Sequence, residues 1–196
     1  MSNSATGASV PTIDLHAVIA RSKVNGPGTR AVIFFQGCDR LCVGCFNPET
    51  HPKRAAKSVE PGALIECLPI EDIEGITVSG GEPFLQAAAL IELLRAAREK
   101  GLTTVVYTGY TFREISEDKR LSEALGYIDV LIDGSLDIDK LEATLLARGS
   151  TNQSFHFLTK RYGEEDMRMN GKIEIIIDDE GRVTRTGFSN IERQIK

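Results

Sequence analysis

The sequence predicts an α/β fold: a partial (open) TIM-like barrel of roughly five to six strand–helix units, with a parallel sheet and a C-terminal β-hairpin. Three observations carry this. Short apolar runs rich in branched and aromatic residues alternate with stretches of helical periodicity. Each run ends in a polar turn containing glycine, at Gly37, Gly80-Gly81, Gly109 and Gly134. In parallel α/β folds, sites gather at the C-terminal ends of the strands, so these turns share one rim. Finally, 196 residues suit one domain with a substantial core, but fall short of the about 250 of a full eight-unit barrel.

The elements follow in order. Residues 1–12 read as a flexible tail, and residues 13–196 as a single domain. Asn25-Gly26-Pro27-Gly28 is a turn. Thr29 to Gln36 is a buried strand, followed at once by a cysteine-rich loop. A helix covers Pro61 to Leu68, in which Cys67 reads as a core residue behaving as a small hydrophobe. Gly75 to Ser79 forms the second strand. The helix from about Leu85 to Lys100 carries Leu90, Leu93, Leu94 and Ala97 at helical spacing, with Gly101 placed to stop it. Thr103 to Tyr107 and Ile128 to Ile132 are the next strands, separated by a helix over about Phe112 to Leu125. A further helix is expected near Ile138 to Ala147. The alternation predicts right-handed parallel crossovers. In the extension 154–196, Lys172 to Ile177 alternates and then runs apolar, Asp178-Asp179-Glu180-Gly181 is a turn, and Val183 to Phe188 returns as the partner strand of a hairpin.

Composition narrows the function. A net charge of −5 and no basic run leave no electrostatic footprint for nucleic acid. No apolar stretch approaches a membrane span. Met1 to Pro11 lacks both the basic and the apolar region of a secretory signal, which points to a cytoplasmic protein. Four cysteines in such a chain are ligands or nucleophiles more readily than disulfides.

Three of them, Cys38, Cys42 and Cys45, are spaced C-x3-C-x2-C. That spacing brings three thiolates round one metal centre and supplies no fourth. A structural site closes its coordination, whereas a reactive one keeps a position open. The cluster therefore points to an iron–sulfur cofactor with one free iron. A structural zinc site, completed by His51 or Cys67, is the rival, although the paired cysteine or histidine units usual for zinc are missing. Gly80-Gly81-Glu82-Pro83 is either a plain strand-to-helix turn or a place where the backbone meets a ligand closely, with Glu82 accepting from an ammonium group. Asp133 ends a strand, where it can bond a hydroxyl, bind a cation or cap a helix. Glu164-Glu165-Asp166 and Asp178-Asp179-Glu180 read as solvated turns, and His16 and His156 have no partner at useful spacing. No Ser/His/Asp arrangement or phosphate loop is present.

Together these residues resemble the radical S-adenosylmethionine (SAM) superfamily, in which C-x3-C-x2-C precedes a Gly-Gly-Glu-Pro turn one strand later. Asn25-Gly26-Pro27-Gly28-Thr29-Arg30, Gln36-Gly37-Cys38 and Cys45-Phe46-Asn47-Pro48 are similar to the glycyl-radical-enzyme activases. Val43-Gly44-Cys45, Tyr107-Thr108-Gly109-Tyr110, Asp133-Gly134 and Arg148-Gly149-Ser150-Thr151-Asn152-Gln153 are most similar to activators of anaerobic ribonucleotide reductase. The resemblance spans about Ser22 to Gln153. It implies that the three thiolates hold a [4Fe–4S] cluster whose fourth iron is chelated by SAM. One electron then cleaves SAM, and the 5′-deoxyadenosyl radical takes hydrogen from a glycine of the reductase. A small-molecule or peptide target is the alternative. It further implies that Gly80, Gly81 and Glu82 line the methionine end, that Phe46 lies against the adenine, and that Thr108 and Asp133 approach the ribose. An electron donor such as flavodoxin or ferredoxin is implied as a second partner. Activators of this kind usually stop soon after the Arg-Gly-Ser-x-Asn-Gln stretch, whereas this chain continues from Ser154 to Lys196.

Overall fold

The structure is a computed structural model, and it describes residues 10–54 and 57–188. The expected tail at residues 1–12 therefore lies mostly outside the described residues. The first strand, β1 (Ile13–Ser22), is followed by β2 (Arg30–Phe35), β3 (Lys57–Val59), β4 (Gly75–Gly80), β5 (Thr103–Tyr107), β6 (Val130–Asp133) and β7 (Ser154–Phe157). They form one sheet in the order β3-β1-β2-β4-β5-β6-β7. Its centre is parallel: β2 pairs with β4, β4 with β5, and β5 with β6. The flanks are not. β1 runs antiparallel to β2, and β7 antiparallel to β6. The fully parallel sheet expected from the strand–helix alternation is thus a mixed one, because β1 and β7 join their neighbours without an intervening helix.

Side chains of the central strands alternate between two buried faces, which is why these strands read as continuous apolar runs. Ile33, Phe35, Ile76, Val78, Val106 and Leu131 meet the helices, α1 (Pro61–Glu66), α2 (Ala87–Glu99) and α3 (Phe112–Glu117). Helix α2 buries Leu90, Leu93 and Leu94 in this layer, each worth about 1.5–3 kcal/mol. It ends at Gly101, whose φ of +77° is the left-handed conformation of a helix stop. On the opposite face, Val105, Val130 and Ile132 meet Met167 and Met169, while Val32 and Phe34 meet Ile19 and Ile176. The C-terminal extension therefore covers the side that the helices leave open. It contains the expected hairpin, β8 (Ile173–Ile177) paired antiparallel with β9 (Val183–Gly187).

At the opposite end of the sheet from the site, Arg30 is fully buried. Its guanidinium donates to the carbonyls of Pro27 (3.1 Å), Ile76 (2.7 Å) and Thr103 (3.0 Å) and to the hydroxyls of Thr77 (2.9 Å) and Thr103 (3.0 Å). One side chain thus ties the Asn25-Gly26-Pro27-Gly28 turn to β4 and β5.

Three local expectations are corrected. Cys67 is exposed at the end of α1, not in the core. The helix over Phe112 to Leu125 breaks at Asp118, whose extended backbone starts a separate turn, α4 (Lys119–Ser122), and whose carboxylate accepts from Arg120 N. Near Ile138 to Ala147 only a 3-10 turn over Ile138–Lys140 forms. There, Glu142 and Thr144 side chains bond the N–H groups of Thr144 and Leu146, and Leu141 and Leu146 bridge to Ser150 and Arg168. Local side-chain bonding of this kind competes with a helix.

Candidate active site

The four parallel strands deliver four loops to one rim: Gln36-Gly37-Cys38 after β2, Gly80-Gly81-Glu82 at the end of β4, Thr108-Gly109 after β5 and Asp133-Gly134 at the end of β6. Backbone bonds lock neighbours together. Gly81 N donates to Phe35 O (2.8 Å), Glu82 N to Gly37 O (2.8 Å), Thr108 N to Ile132 O (3.0 Å) and Gly134 N to Tyr110 O (2.9 Å). Two glycines are dictated by this crossing. At Gly80, with φ +105°, a Cβ would sit 2.4 Å from Phe35 N, and at Gly81 it would sit 2.1 Å from Gly37 O.

The cysteine loop is braced by backbone rather than by packing. Gly37 N donates to Thr50 O (2.7 Å) and Cys38 N to His51 O (3.1 Å), closing its base. The Gln36 side chain donates to the carbonyls of Glu49 and Pro52. Within the loop, Cys45 N donates to Cys42 O, and Leu41 takes a left-handed φ of +46°. All three thiols are free. Cys38, Cys42 and Cys45 line one lobe of a chamber, together with Arg40, His51, Gly80, Gly81, Glu82, Thr108 and Gly109. A second lobe, lined by Phe46, Tyr107, Gly149, Gln153 and the end of β9, shares Cys45, Ser79 and Gly80 with the first.

Burial pushes the Cys38 and Cys45 thiols up, and backbone N–H groups of Leu41 and Arg40 at Cys38, and of Asn47 at Cys45, pull the other way. These donors already point at sulfur, as they must to support thiolate ligands. Among the described residues, no three His, Cys, Asp or Glu side chains converge on one ion. A single zinc ion needs its sulfurs about 2.3 Å from a common point. A cluster, in contrast, takes each cysteine on its own iron. Three soft thiol donors line the shared chamber, a donor set that fits an iron–sulfur cluster.

Glu82 is 1% exposed and is the electrostatic centre of the rim. It accepts from Thr108 Oγ1 (2.8 Å), Gly109 N (2.7 Å) and Phe84 N (3.0 Å), joining the end of β4 to the end of β5 and capping the 3-10 turn Pro83–Gln86. Burial raises its pKa to about 7, against the downward pull of those three donors and of Arg40. Of the other expected contact residues, Phe46, Gly80, Gly81 and Thr108 line the chamber. Asp133 is absent from both linings. Its carboxylate accepts from Phe112 N (2.6 Å) at the start of α3 and lies 3.1 Å from His156 Nε2, off the line of a hydrogen bond. It holds the first N–H of α3, a helix whose own N-cap is Thr111.

Arg40 was not singled out by the sequence. Its guanidinium lies 3.8 Å from the Tyr110 ring centroid, and its buried Nε has no hydrogen-bond partner among the described residues. The signal was its place between the first two cysteines. Gln153, just before the extension, closes the rim: its Oε1 accepts from Gly149 N (2.8 Å) and its Nε2 donates to Gly134 O (2.8 Å).

Comparison with known proteins agrees with this geometry. A family model described as a 4Fe-4S single cluster domain matches residues 24–156. The anaerobic ribonucleoside-triphosphate reductase-activating protein of Pasteurella multocida is 33% identical over 70% of this chain and 92% of its own length. Its counterpart from Haemophilus influenzae is 35% identical over 68% of this chain and 90% of its own. The pyruvate formate-lyase-activating enzyme of Clostridium pasteurianum is 36% identical over 53% of this chain and 46% of its own. The rim and its cysteine loop are those of an iron–sulfur enzyme. The chain belongs to the radical SAM activating enzymes, whose cofactors are a [4Fe–4S] cluster and SAM.

Proposed function

We propose that the chain generates a glycyl radical on anaerobic ribonucleotide reductase. The observation that carries this reading is that three free thiols on one loop share a chamber with the Gly80-Gly81 turn. Relatives named as activators of that reductase, aligned over about nine tenths of their own length, support the target. Cys38, Cys42 and Cys45 would hold the cluster. When bound, cluster and SAM together supply one-electron cleavage of a sulfonium and hence a hydrogen-abstracting carbon radical.

The chain's own residues bind, orient and exclude water. Gly80 and Gly81 present bare backbone to the methionine end of SAM, and Phe46 offers its ring to the adenine. Thr108 and Glu82 engage each other. They therefore fix the separation of β4 and β5 at the binding rim. Asp133 supports the site from behind by anchoring α3. We read the loop-bearing parallel strands as a partial TIM-like barrel within a single domain, residues 13–196. We place the protein in the cytoplasm, with flavodoxin or ferredoxin as the electron donor.

The test is anaerobic reconstitution with iron and sulfide, which should give about four irons per chain. Incubation with reductase, SAM and reductant should then give a glycyl-radical signal in electron paramagnetic resonance. Formation of 5′-deoxyadenosine without any protein radical would refute the reductase as target and favour a small molecule.

A further inference from the structure

The second lobe of the chamber ends on residues beyond the 24–156 stretch that the family model matches. Its far wall is the end of β9, Thr186 and Gly187, with Phe188 just beyond it. We propose that β9 occupies, in the resting protein, the groove that receives the glycine-bearing segment of the protein partner, and that the β8–β9 hairpin moves aside when that partner docks. This rests on the activase reading above.

Position is the first argument. The lobe walled by Gly187 also contains Cys45 and Gly80, so a glycine of the chain itself faces the reaction chamber. A target glycine must be presented there in the same way, with its α-carbon reachable and no side chain in between.

The fit is the second. The residue after Gly187, Phe188, lies edge-on to Phe46 at 6.3 Å and against Tyr107 at 5.6 Å. The residue before it, Thr186, is buried and accepts from Asn25 Nδ2 at 2.9 Å. The groove thus takes a small hydroxyl residue, a glycine and an aromatic ring in succession. Phe188 also occupies one approach to Phe46, the ring assigned to the adenine, so a resting chain partly closes its own chamber.

Removability is the third. Among the described residues, β8 and β9 form a two-stranded sheet separate from the seven-stranded one. A lone hairpin of this kind is marginally stable by itself. Among the described residues, polar ties to the body are few: Asn25 to Thr186, Lys23 N to Glu174 and Lys172 Nζ to Glu142 O. On its outer face Ile175, Ile177 and Val183 are exposed.

Hydrogen–deuterium exchange on the cluster-loaded full chain, with and without reductase, tests this. The expected result is that amides of residues 183–188 lose protection in the complex, while those of Asn25 and Phe46-Asn47 gain it. A complex that forms the glycyl radical with hairpin protection unchanged or increased overturns the proposal and leaves the activase reading standing. If SAM is cleaved but no glycyl radical forms on the reductase, the activase reading falls first and this proposal falls with it. A second variant gives an independent measurement. Phe188→Ala should lower the KM for reductase by about tenfold, because a docking-competent state that was scarce becomes common. SAM binding measured by equilibrium dialysis should hold or tighten, because Phe188 occupies one approach to the ring assigned to the adenine. An unchanged or raised KM, or SAM binding weakened by more than about tenfold, would make Phe188 a fixed wall of the SAM site and overturn the proposal.

Discussion

Glu82→Gln isolates the carboxylate that joins the two central rims. In the folded chain burial lifts the Glu82 pKa from an ordinary 4.5 to about 7. A raised carboxyl pKa means that the folded state binds a proton which the unfolded state has released. Stability therefore falls as pH rises from the unfolded value to the folded one. At about 1.36 kcal/mol for each pH unit, the full gap corresponds to roughly 3 kcal/mol, most of which falls between pH 5 and 8. Glutamine cannot ionise, so its variant lacks this slope. It also turns an N–H towards the Gly109 N–H, which the carboxylate accepts at 2.7 Å. Losing that bond shifts the whole curve by about 1–3 kcal/mol without tilting it. Urea unfolding of both apo-proteins, followed by far-ultraviolet circular dichroism at half-unit steps of pH, separates the two effects. The stability difference between variant and parent should move by about 2–3 kcal/mol in favour of glutamine from pH 5 to 8. A difference constant to within about 0.5 kcal/mol over that range would refute the reasoning, and would mean that the three donors outweigh burial.

Three further outcomes are expected. Cys42→Ser should lose bound iron and visible absorbance after reconstitution, whereas Cys67→Ser, altering an exposed thiol away from the chamber, should keep both; iron analysis decides. Arg30→Lys leaves at most three donors where the guanidinium reaches six acceptors. It should destabilise the fold by about 3–5 kcal/mol in chemical denaturation, and a loss below about 1 kcal/mol would show that the acceptors find other partners. Gly81→Ala drives a methyl into Gly37 O, the residue before Cys38. It should lower cluster occupancy even where circular dichroism shows the sheet intact, so full iron content in this variant would contradict the close crossing.

The parts that were legible in the sequence are those whose causes are local. β4 and β5 announce themselves because both faces of a central parallel strand are buried and every residue must be apolar or small. The rim glycines show because no other residue tolerates the crossing at Gly80 and Gly81. What stayed hidden depends on long-range pairing. β1 alternates only at Ile13 and Leu15 before its pattern blurs, with a register shift between Leu15 and Ala17. β7 is four residues long, and its pairing with β6 sets His156 opposite Leu131 and Ser154 opposite Asp133. That pairing brings His156 to Asp133, which no spacing along the chain predicts. Cys67 misled for a related reason. Its neighbours Leu64, Ile65 and Leu68 are buried, but α1 ends at Glu66 and turns the next side chain outwards.

The rim also explains why a costly group such as Glu82 sits where a neutral one would be more stable. The cysteine loop is held by main-chain bonds at its base, so its side chains are left to face the chamber. That arrangement works only if β2, β4 and β5 end at fixed distances from one another. Between β2 and β4 the glycine crossing suffices, because Gly81 lies against Gly37 with no side chain in between. Between β4 and β5 no such contact exists, and Thr108 N is already committed to β6. One carboxylate reaching across to Thr108 Oγ1 and Gly109 N closes that gap with two bonds to the next strand. A hydroxyl or an amide at position 82 could make only part of this bridge, since the acceptor must serve donors on both sides. The stability lost by burying Glu82 is therefore a consequence of keeping the chamber floor rigid, and the pH slope of unfolding measures that directly.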